Sequence, residues 1–312
     1  MSLLSQISSS PMLREYAQGA AQAATQPVAD FLAPTVPVAT AVGRFKKYTE
    51  QDRFRIPNTK RSVGGRATEI GFTAVDATYN CQPNALDFPV DVLEIQETAG
   101  LESILQEGAT IVAEAAALAH EFNVVNLALT TLGAGTNLTW SGALDPVSDL
   151  DGQILAIIKA AKYGSLMGVG VLFGATAWKL FKNNSNVRGR FIVGANVPSG
   201  GYSIAVPTEE SAMGLLIGAP AIRVSYMVYD TAAEGLAASI NFILDSTVLV
   251  FARLANPTRR DPSFMKTFRL NGQFMVPGSY MREDNRVEVA KFDWSEDIQV
   301  TNSAAAVRLN IS

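Results

Sequence analysis

Apolar residues recur at helical spacing between residues 99 and about 129, which is the longest regular pattern in the chain. Thr98 directly precedes this run and is a suitable N-cap residue. At about 1.5 Å per residue such a helix would be roughly 46 Å long, far beyond the usual three turns. The pattern therefore predicts a long scaffold helix; the alternative is two ordinary helices joined near Gly108 or Asn123.

Two strand-like runs precede this helix, at residues 68–79 and 86–95. In the second run, apolar residues alternate with polar positions, so one face is apolar and the other is wet. The turn-like sequence Gln82-Pro83-Asn84 separates the runs, which predicts one long hairpin. Pro89 lies on the polar face, which favours an edge strand.

Helices and strands follow the long helix without regular alternation. A loop at residues 133–142 is followed by a helix that opens at Asp145-Pro146 and runs to Tyr163, where we expect a second subdomain to begin. The remaining predicted elements are a buried strand at 165–173, a helix at 175–183, strands at 221–229 and 242–254, and closing strands at 287–292 and 298–311. This irregular order predicts an α+β fold and disfavours a doubly wound parallel sheet.

The first 43 residues are rich in Ala, Gln, Ser, Thr and Pro and contain a possible short helix at residues 12–24. A segment of this composition buries too little apolar area to offset the entropy of ordering it. Two interpretations stay open at this point: an arm that lies across a neighbouring molecule, and a disordered tail.

Composition indicates a surface that partners cover. Apolar residues make up 48% of the 312 residues and charged residues only 17%, against about 25% charged residues in ordinary soluble domains. The alternative is a monomer rich in glycine and alanine. The net charge of −4 argues against a protein whose task is to grip phosphates. The longest apolar stretch, residues 167–178, is too short to cross a bilayer.

One segment opposes the overall negative charge. Between residues 44 and 66 there are eight basic residues and two acidic ones. This segment could contact nucleic acid, an acidic surface of a neighbouring subunit, or only solvent, and complementary charge suits a subunit that must find similar neighbours. We therefore predict these intersubunit contact residues: Arg44, Lys46, Lys47, Arg53, Arg55, Lys60, Arg61 and Arg66.

Residues that perform catalysis are scarce. His120 is the single histidine and Cys81 the single cysteine, and no G-x-S-x-G motif occurs. The glycines at 168, 170 and 174 depart from a dinucleotide fingerprint because the third comes one residue late. Asp145, Asp149 and Asp151 are explained by the start of a helix. We predict no catalytic, cofactor-binding or metal-binding residue and no enzymatic activity.

The order of these elements resembles the major capsid proteins of tailed bacteriophages, which have the Hong Kong 97 type fold. The residues that carry the resemblance are Arg55-Ile56-Pro57-Asn58-Thr59, Glu69-Ile70-Gly71-Phe72 and Tyr79-Asn80-Cys81 in an extended loop, the helix at 98–126, the run 172–178, and Asn256-Pro257-Thr258 with Asp261-Pro262-Ser263. The resemblance implies an N-terminal arm (1–53), an extended β-hairpin loop (54–97), a peripheral domain with the spine helix (98–144), an axial domain (145–250) and C-terminal peripheral strands (251–312).

The resemblance also implies a function and partners. Copies of the chain would form pentamers and hexamers of an icosahedral shell around double-stranded DNA, without sequence-specific binding and without a membrane. Assembly would take place in the host cytoplasm with a separate scaffolding protein and a portal, and decoration proteins are possible partners. Some relatives cross-link a loop lysine to an asparagine; Lys60 is the lysine in this loop, but no asparagine or glutamate matches. The alternatives are an encapsulin-like nanocompartment and a soluble α+β enzyme.

Overall fold

The computed structural model describes residues 27–48, 56, 58–69, 74–91, 93, 101–141, 144–161, 168–193, 203–204, 207–233, 236–254, 256–259, 261, 263–272, 274–284 and 286–312. The possible helix at residues 12–24 and the N-cap residue Thr98 lie outside these ranges. In the described part the helices are α1 Pro27–Leu32, α2 Leu101–Leu132, α3 Pro146–Ala161, α4 Ala175–Asn183, α5 Ser185–Arg190 and α6 Glu209–Met213.

A first sheet contains β1 (Thr35–Val38), β13 (Met265–Leu270), β15 (Val287–Val300) and β14 (Val276–Met281) in that order. The fifth strand, β4 (Gln82–Asp91), runs antiparallel along most of β15. In the part of the chain that the structure describes, β4 pairs only with β15, so the predicted edge position of Pro89 is confirmed.

The second sheet is mixed and has the order β5 (Thr136–Leu138), β16 (Ala306–Ile311), β12 (Thr247–Ala252), β6 (Val169–Phe173) and β9 (Ala221–Val224). Both β6 and β12 are buried along their whole length, because helices cover the two faces of the sheet. Short two-stranded pairs complete the fold: β2 (Val42–Tyr48) with β3 (Ala74–Asn80), β7 (Ile192–Val193) with β8 (Ser203–Ile204), and β10 (Val228–Asp230) with β11 (Ile240–Phe242).

Helix α2 is one continuous helix of 32 residues, so the predicted scaffold helix is confirmed and the alternative of two shorter helices is wrong. Its first half packs Ala109, Val112 and Ala113 against Phe292 of the first sheet. Its second half contributes Val124, Val125 and Ala128 to the larger core around the second sheet. The same helix therefore belongs to two separate hydrophobic cores.

Strand pairing differs from the sequence prediction in the hairpin. The runs at 68–79 and 86–95 do not pair with each other: β3 pairs with β2, whereas β4 joins the first sheet. The hairpin therefore starts at Val42, before the predicted loop boundary at residue 54. The physical reason is that β4 buries its apolar side chains against the first sheet and helix α2, where Phe88 packs.

The C-terminal strands also differ from the prediction. The two closing strands expected at 287–292 and 298–311 are β15, which continues to Val300, and β16, which lies in the second sheet. The predicted boundary at residue 251 therefore falls within β12, the strand with which β16 pairs. The strands expected at 221–229 and 242–254 are each interrupted, because β10 and β11 form their own pair.

Glycine 108 tests how closely β4 packs on the spine helix. A methyl group at Gly108 would overlap the ring of Phe88, whereas one at Gly152, in the middle of α3, would meet no atom within 4 Å. Gly108→Ala should therefore destabilise the fold by about 1–3 kcal/mol through overpacking. Gly152→Ala should stabilise it by about 1 kcal/mol because alanine is the better helix former.

Chemical denaturation of the two variants and the unchanged subunit measures both effects. Equal stabilisation by the two substitutions would contradict the close contact between Gly108 and Phe88.

Candidate assembly interface

The hairpin of β2 and β3 lies apart from the two large sheets, and its strands pair antiparallel from Val42 opposite Asn80 to Tyr48 opposite Ala74. In the described ranges these two strands pair only with each other. A two-stranded hairpin in isolation is only marginally stable, so its base must be held by the rest of the subunit.

The base of the hairpin is held by a small aromatic core. The ring of Tyr79 stacks on Phe268 of β13 with centroids 4.7 Å apart, and Phe45 packs on the same ring at 5.2 Å. Gly43 gives Tyr79 the space it needs, since a Cβ atom there would overlap the tyrosine ring. The hairpin therefore leaves the subunit in a direction that the first sheet determines.

A loop at residues 256–263 supports this aromatic core. The guanidinium of Arg259 donates a hydrogen bond of 2.7 Å to the Tyr79 hydroxyl. The loop itself is closed by Lys266, whose Nζ lies 3.0 Å from an oxygen of Asp261 and donates to the Thr258 carbonyl oxygen at 2.7 Å. Burial alone would raise the pKa of Asp261, but hydrogen bonds and the Lys266 charge lower it. Burial lowers the pKa of Lys266, and the contact with Asp261 opposes that shift.

The far end of the hairpin is a compact turn, and we call residues 56–69 the hairpin tip. Thr68 donates a hydrogen bond of 3.0 Å to the Asn58 carbonyl oxygen, which closes the turn, and Gly64 has the positive φ of 80° that glycine adopts easily. Ile56 is 94% exposed and Val63 is fully exposed. The side chains of Ile56 and Val63 are therefore exposed apolar groups that no other described residue covers.

Four of the eight predicted contact residues have described side chains: Arg44 on β2, and Lys60, Arg61 and Arg66 in the tip. All four are exposed. In the described part of the chain, none has a carboxylate within ion-pair distance. Lys46 and Lys47 lie on β2, but their side chains, like Arg53 and Arg55, lie outside the described part. The structure therefore brings three of the predicted cations together at the tip.

A buried ionic cluster joins the spine helix to the first sheet. Nδ1 of His120 on α2 lies 3.0 Å from Glu296 on β15, and Arg269 on β13 lies 2.9 Å from the other oxygen of the same carboxylate. Burial alone would raise the pKa of Glu296, but His120 and Arg269 lower it to about 2. The single histidine thus has a structural role, as the sequence suggested.

The remaining candidate groups also have structural partners. Asp145 accepts a hydrogen bond from the Val147 amide at the start of α3, Asp149 accepts one from the Trp140 indole, and Asp151 accepts one from the Ile217 amide. Cys81 is buried, and burial raises the pKa of its thiol. Among the described residues, no group of three or more His, Cys, Asp or Glu side chains is placed to hold a metal ion.

Gly174 follows the buried strand β6, and a Cβ atom there would overlap the carbonyl of Asp245. Its conformation serves close backbone packing, which accounts for the glycine-rich sequence without a cofactor. No described helix is long and apolar enough to span a membrane.

Comparison with known proteins gives the fold. No protein-family model matches the chain, and no curated protein matches it significantly. Among solved structures, a phage-related protein from Bordetella bronchiseptica RB50 is similar with a TM-score of 0.69 and 18% identity over 96% of both chains. The mature capsid of bacteriophage PhiM1 gives 0.53 and 10% identity over 91% of this chain and 86% of that one.

An encapsulin from Synechococcus elongatus PCC 7942 gives a TM-score of 0.56 and 11% identity over 92% of this chain and 88% of that one. At such low identity the likeness shows the fold. The predicted α+β fold of the Hong Kong 97 capsid type is confirmed, and with it the resemblance to phage capsid proteins.

Glu121 is the one buried carboxylate in the described ranges whose two oxygens both lack a hydrogen-bond partner of ordinary geometry. It lies on α2, which packs against α1, and its side chain is 0% exposed. Burial raises its pKa to about 7, the nearby Ala29 backbone lowers it in part, and the charge of Asp30 raises it further. Ionisation of Glu121 at the contact between α1 and α2 therefore lowers the stability of the folded state.

The effect of a Glu121 substitution on the free energy of unfolding should depend on pH. The folded state holds the proton more tightly than the unfolded chain does, so this group's contribution to stability is complete at low pH and is lost as pH rises through about 7. Glu121→Gln should raise the free energy of unfolding by up to about 3 kcal/mol at about pH 8 relative to its effect at about pH 4.5.

Unfolding of the isolated subunit across this pH range measures the difference. Glu114→Gln, at an exposed position of the same helix, is the control and should leave the pH dependence unchanged. An effect of Glu121→Gln that is equal at both ends of the range would contradict the assignment.

Proposed function

We propose that this chain is the major capsid protein of a tailed bacteriophage, and that its copies form the pentamers and hexamers of an icosahedral shell around double-stranded DNA. The supporting observation is the similarity of its fold to a phage capsid over 91% of the chain, combined with a hairpin tip whose apolar side chains Ile56 and Val63 no described residue covers. A hairpin tip of this kind gains stability only where a neighbouring subunit covers it.

The proposed shell has the domain organisation that the resemblance implies, with two changes. The arm (1–53) and extended loop (54–97) reach neighbouring copies, and the hairpin within them begins at β2. The axial domain (145–250) also includes β5 and β16, which complete its sheet. The spine helix and the first sheet form the peripheral domain, so α2 connects the two domains.

The proposed relation to DNA is enclosure. A net charge of −4 gives no general attraction to phosphates, which suits a wall that must not hold the packaged genome. The virion is the proposed location, with assembly in the host cytoplasm. A separate scaffolding protein and a portal belong to the proposal because a closed shell of one size needs a means of setting its curvature and its opening.

A nanocompartment is the second candidate, since the encapsulin from Synechococcus elongatus PCC 7942 has a similar fold. It would be a closed shell of the same subunit that holds proteins instead of a genome. The contents of purified particles separate the two functions.

The deciding experiment is expression of the chain alone and together with the proteins encoded beside its gene, followed by sedimentation and negative-stain microscopy. We expect closed shells or five- and six-membered rings. Nuclease-protected double-stranded DNA in particles from infected or induced cells supports the capsid function, and enclosed protein supports the nanocompartment. A monomer or dimer under both conditions would contradict the proposed function as a shell protein.

Charge reversal at the hairpin tip tests whether the predicted cations act in assembly. The triple variant Lys60→Glu, Arg61→Glu and Arg66→Glu should lower the yield of particles on the order of tenfold or more, because like charges then meet at the contact. The control variant reverses the charge of three exposed cations on helices α3, α4 and α5 by the substitutions Lys159→Glu, Lys179→Glu and Arg188→Glu.

Both variants change the net charge equally, so a general charge effect would appear in both. Equal yields from the tip variant and the unchanged protein would contradict a role of these cations. Circular dichroism of the subunits excludes misfolding as the cause.

A further inference from the structure

Strands β10 and β11 form a two-stranded element, which we call the ribbon (residues 226–233 and 236–242). Val228 lies opposite Phe242 and Asp230 opposite Ile240, and the pair is closed by hydrogen bonds between Thr231 and Ser239. Its inner face contacts the spine helix, where the rings of Tyr229 and Phe122 lie 5.1 Å apart. The ribbon therefore has a defined position on the subunit.

The outer face of the ribbon is exposed and largely apolar, with the Asp230 carboxylate opposite Ile240 on the same face. Val228, Ile240 and Phe242 share this face because they alternate with the inward Tyr229, and they are 43%, 59% and 43% exposed. Leu236, in the connection between the strands, is 72% exposed. Several large apolar side chains on one well-ordered face are typical of a surface that a partner protein covers.

The charges on the ribbon have a single sign. Between residues 226 and 252 the sequence contains Asp230, Glu234 and Asp245 and no Lys, Arg or His. The Asp230 carboxylate is held in place by the backbone amides of Ala232 and Ser239, at 2.9 Å and 2.8 Å. Those hydrogen bonds lower the pKa of Asp230, so its negative charge persists well below neutral pH.

A surface of the opposite character is present on the same chain. The hairpin tip combines the exposed apolar residues Ile56 and Val63 with the cations of Lys60, Arg61 and Arg66. Ile56 and Val63 are almost entirely exposed, so the tip does not cover the ribbon of its own copy. Apolar contact at the centre and opposite charges around it are the usual arrangement of a specific protein interface.

We propose that the ribbon is the receiving surface for the hairpin tip of a second copy of this chain. The inference rests on the proposed shell function and adds the contact that a neighbouring subunit makes. Val63 of one copy packs on the outer face formed by Val228, Ile240 and Phe242. The tip cations lie beside the Asp230 carboxylate, which shares this face of the ribbon, and fix the orientation of the contact.

Disulfide formation in assembled particles tests the contact. The native Cys81 is buried, so introduced cysteines are the reactive ones. The double variant Val63→Cys with Ile240→Cys should convert the monomer band into a ladder of linked chains under oxidising conditions. The matched control combines Val63→Cys with Leu155→Cys, an exposed apolar position on α3, and should remain monomeric.

A ladder with Leu155→Cys but not with Ile240→Cys would overturn the proposal. So would linked dimers from the single variant Ile240→Cys, because they would mean that ribbons of two copies face each other. Particles of the double variant that stay monomeric on oxidation would overturn it as well.

The unchanged protein supplies a second test in case the cysteine variants fail to assemble. Coupling of wild-type particles with a water-soluble carbodiimide, followed by peptide mass spectrometry, should join the Lys60 amine to a carboxylate between residues 230 and 245. Lys60 joined only to carboxylates elsewhere would overturn the inference while particles still form. Absence of any particles would instead defeat the proposed function and the inference with it.

Discussion

The double membership of helix α2 in two hydrophobic cores is the constraint on which the other elements depend. A single helix is rigid over its length, so the first sheet, which packs on its first half, and the second sheet, which packs on its second half, cannot move independently. Strand β4 packs beside Gly108 on the same helix. The position of the hairpin then follows from the first sheet, because Tyr79 and Phe45 pack on Phe268.

Buried polar groups give this arrangement its specificity. The cluster of His120, Glu296 and Arg269 lies near the middle of α2, between the parts of the helix that enter the two cores. An ionic cluster of this kind requires defined geometry, because removing one partner leaves a buried charge without compensation. It therefore fixes the rotation of the helix against the sheet, which apolar contacts alone would leave less defined.

The sequence pattern was sufficient to predict the three longest described helices, and the irregular order of elements predicted the α+β class, whereas the short helices α1, α5 and α6 were missed. Helix α2 has a long and regular apolar pattern, and the run at residues 175–183 matches α4 residue for residue. Strand partners were harder to predict, since pairing depends on contacts between distant residues. Strand β2 is short and carries Arg44, Lys46 and Lys47, and it was predicted as part of the N-terminal arm (1–53) instead of as a strand.

The candidate interface was predicted only in part, for the same reason. The excess of positive charge between residues 44 and 66 is visible in the sequence and led to the tip cations. The support by Arg259 was not visible, because 180 positions separate it from Tyr79. The strand patterns at 221–229 and 242–254 touched both ends of the ribbon but did not separate it from the strands of the second sheet, although the absence of basic residues from 226 to 252 was a usable sign.

The hairpin tip and the ribbon are different surfaces of one subunit, and this difference has a consequence for symmetry. A contact between unlike surfaces is heterologous: each copy offers its tip to one neighbour and its ribbon to another. Repeating the same rotation then gives a ring if the angle divides a full turn and an open helix if it does not. In the proposed shell, the angle at which Tyr79, Gly43 and Arg259 hold the hairpin would therefore help to determine how many subunits close a ring.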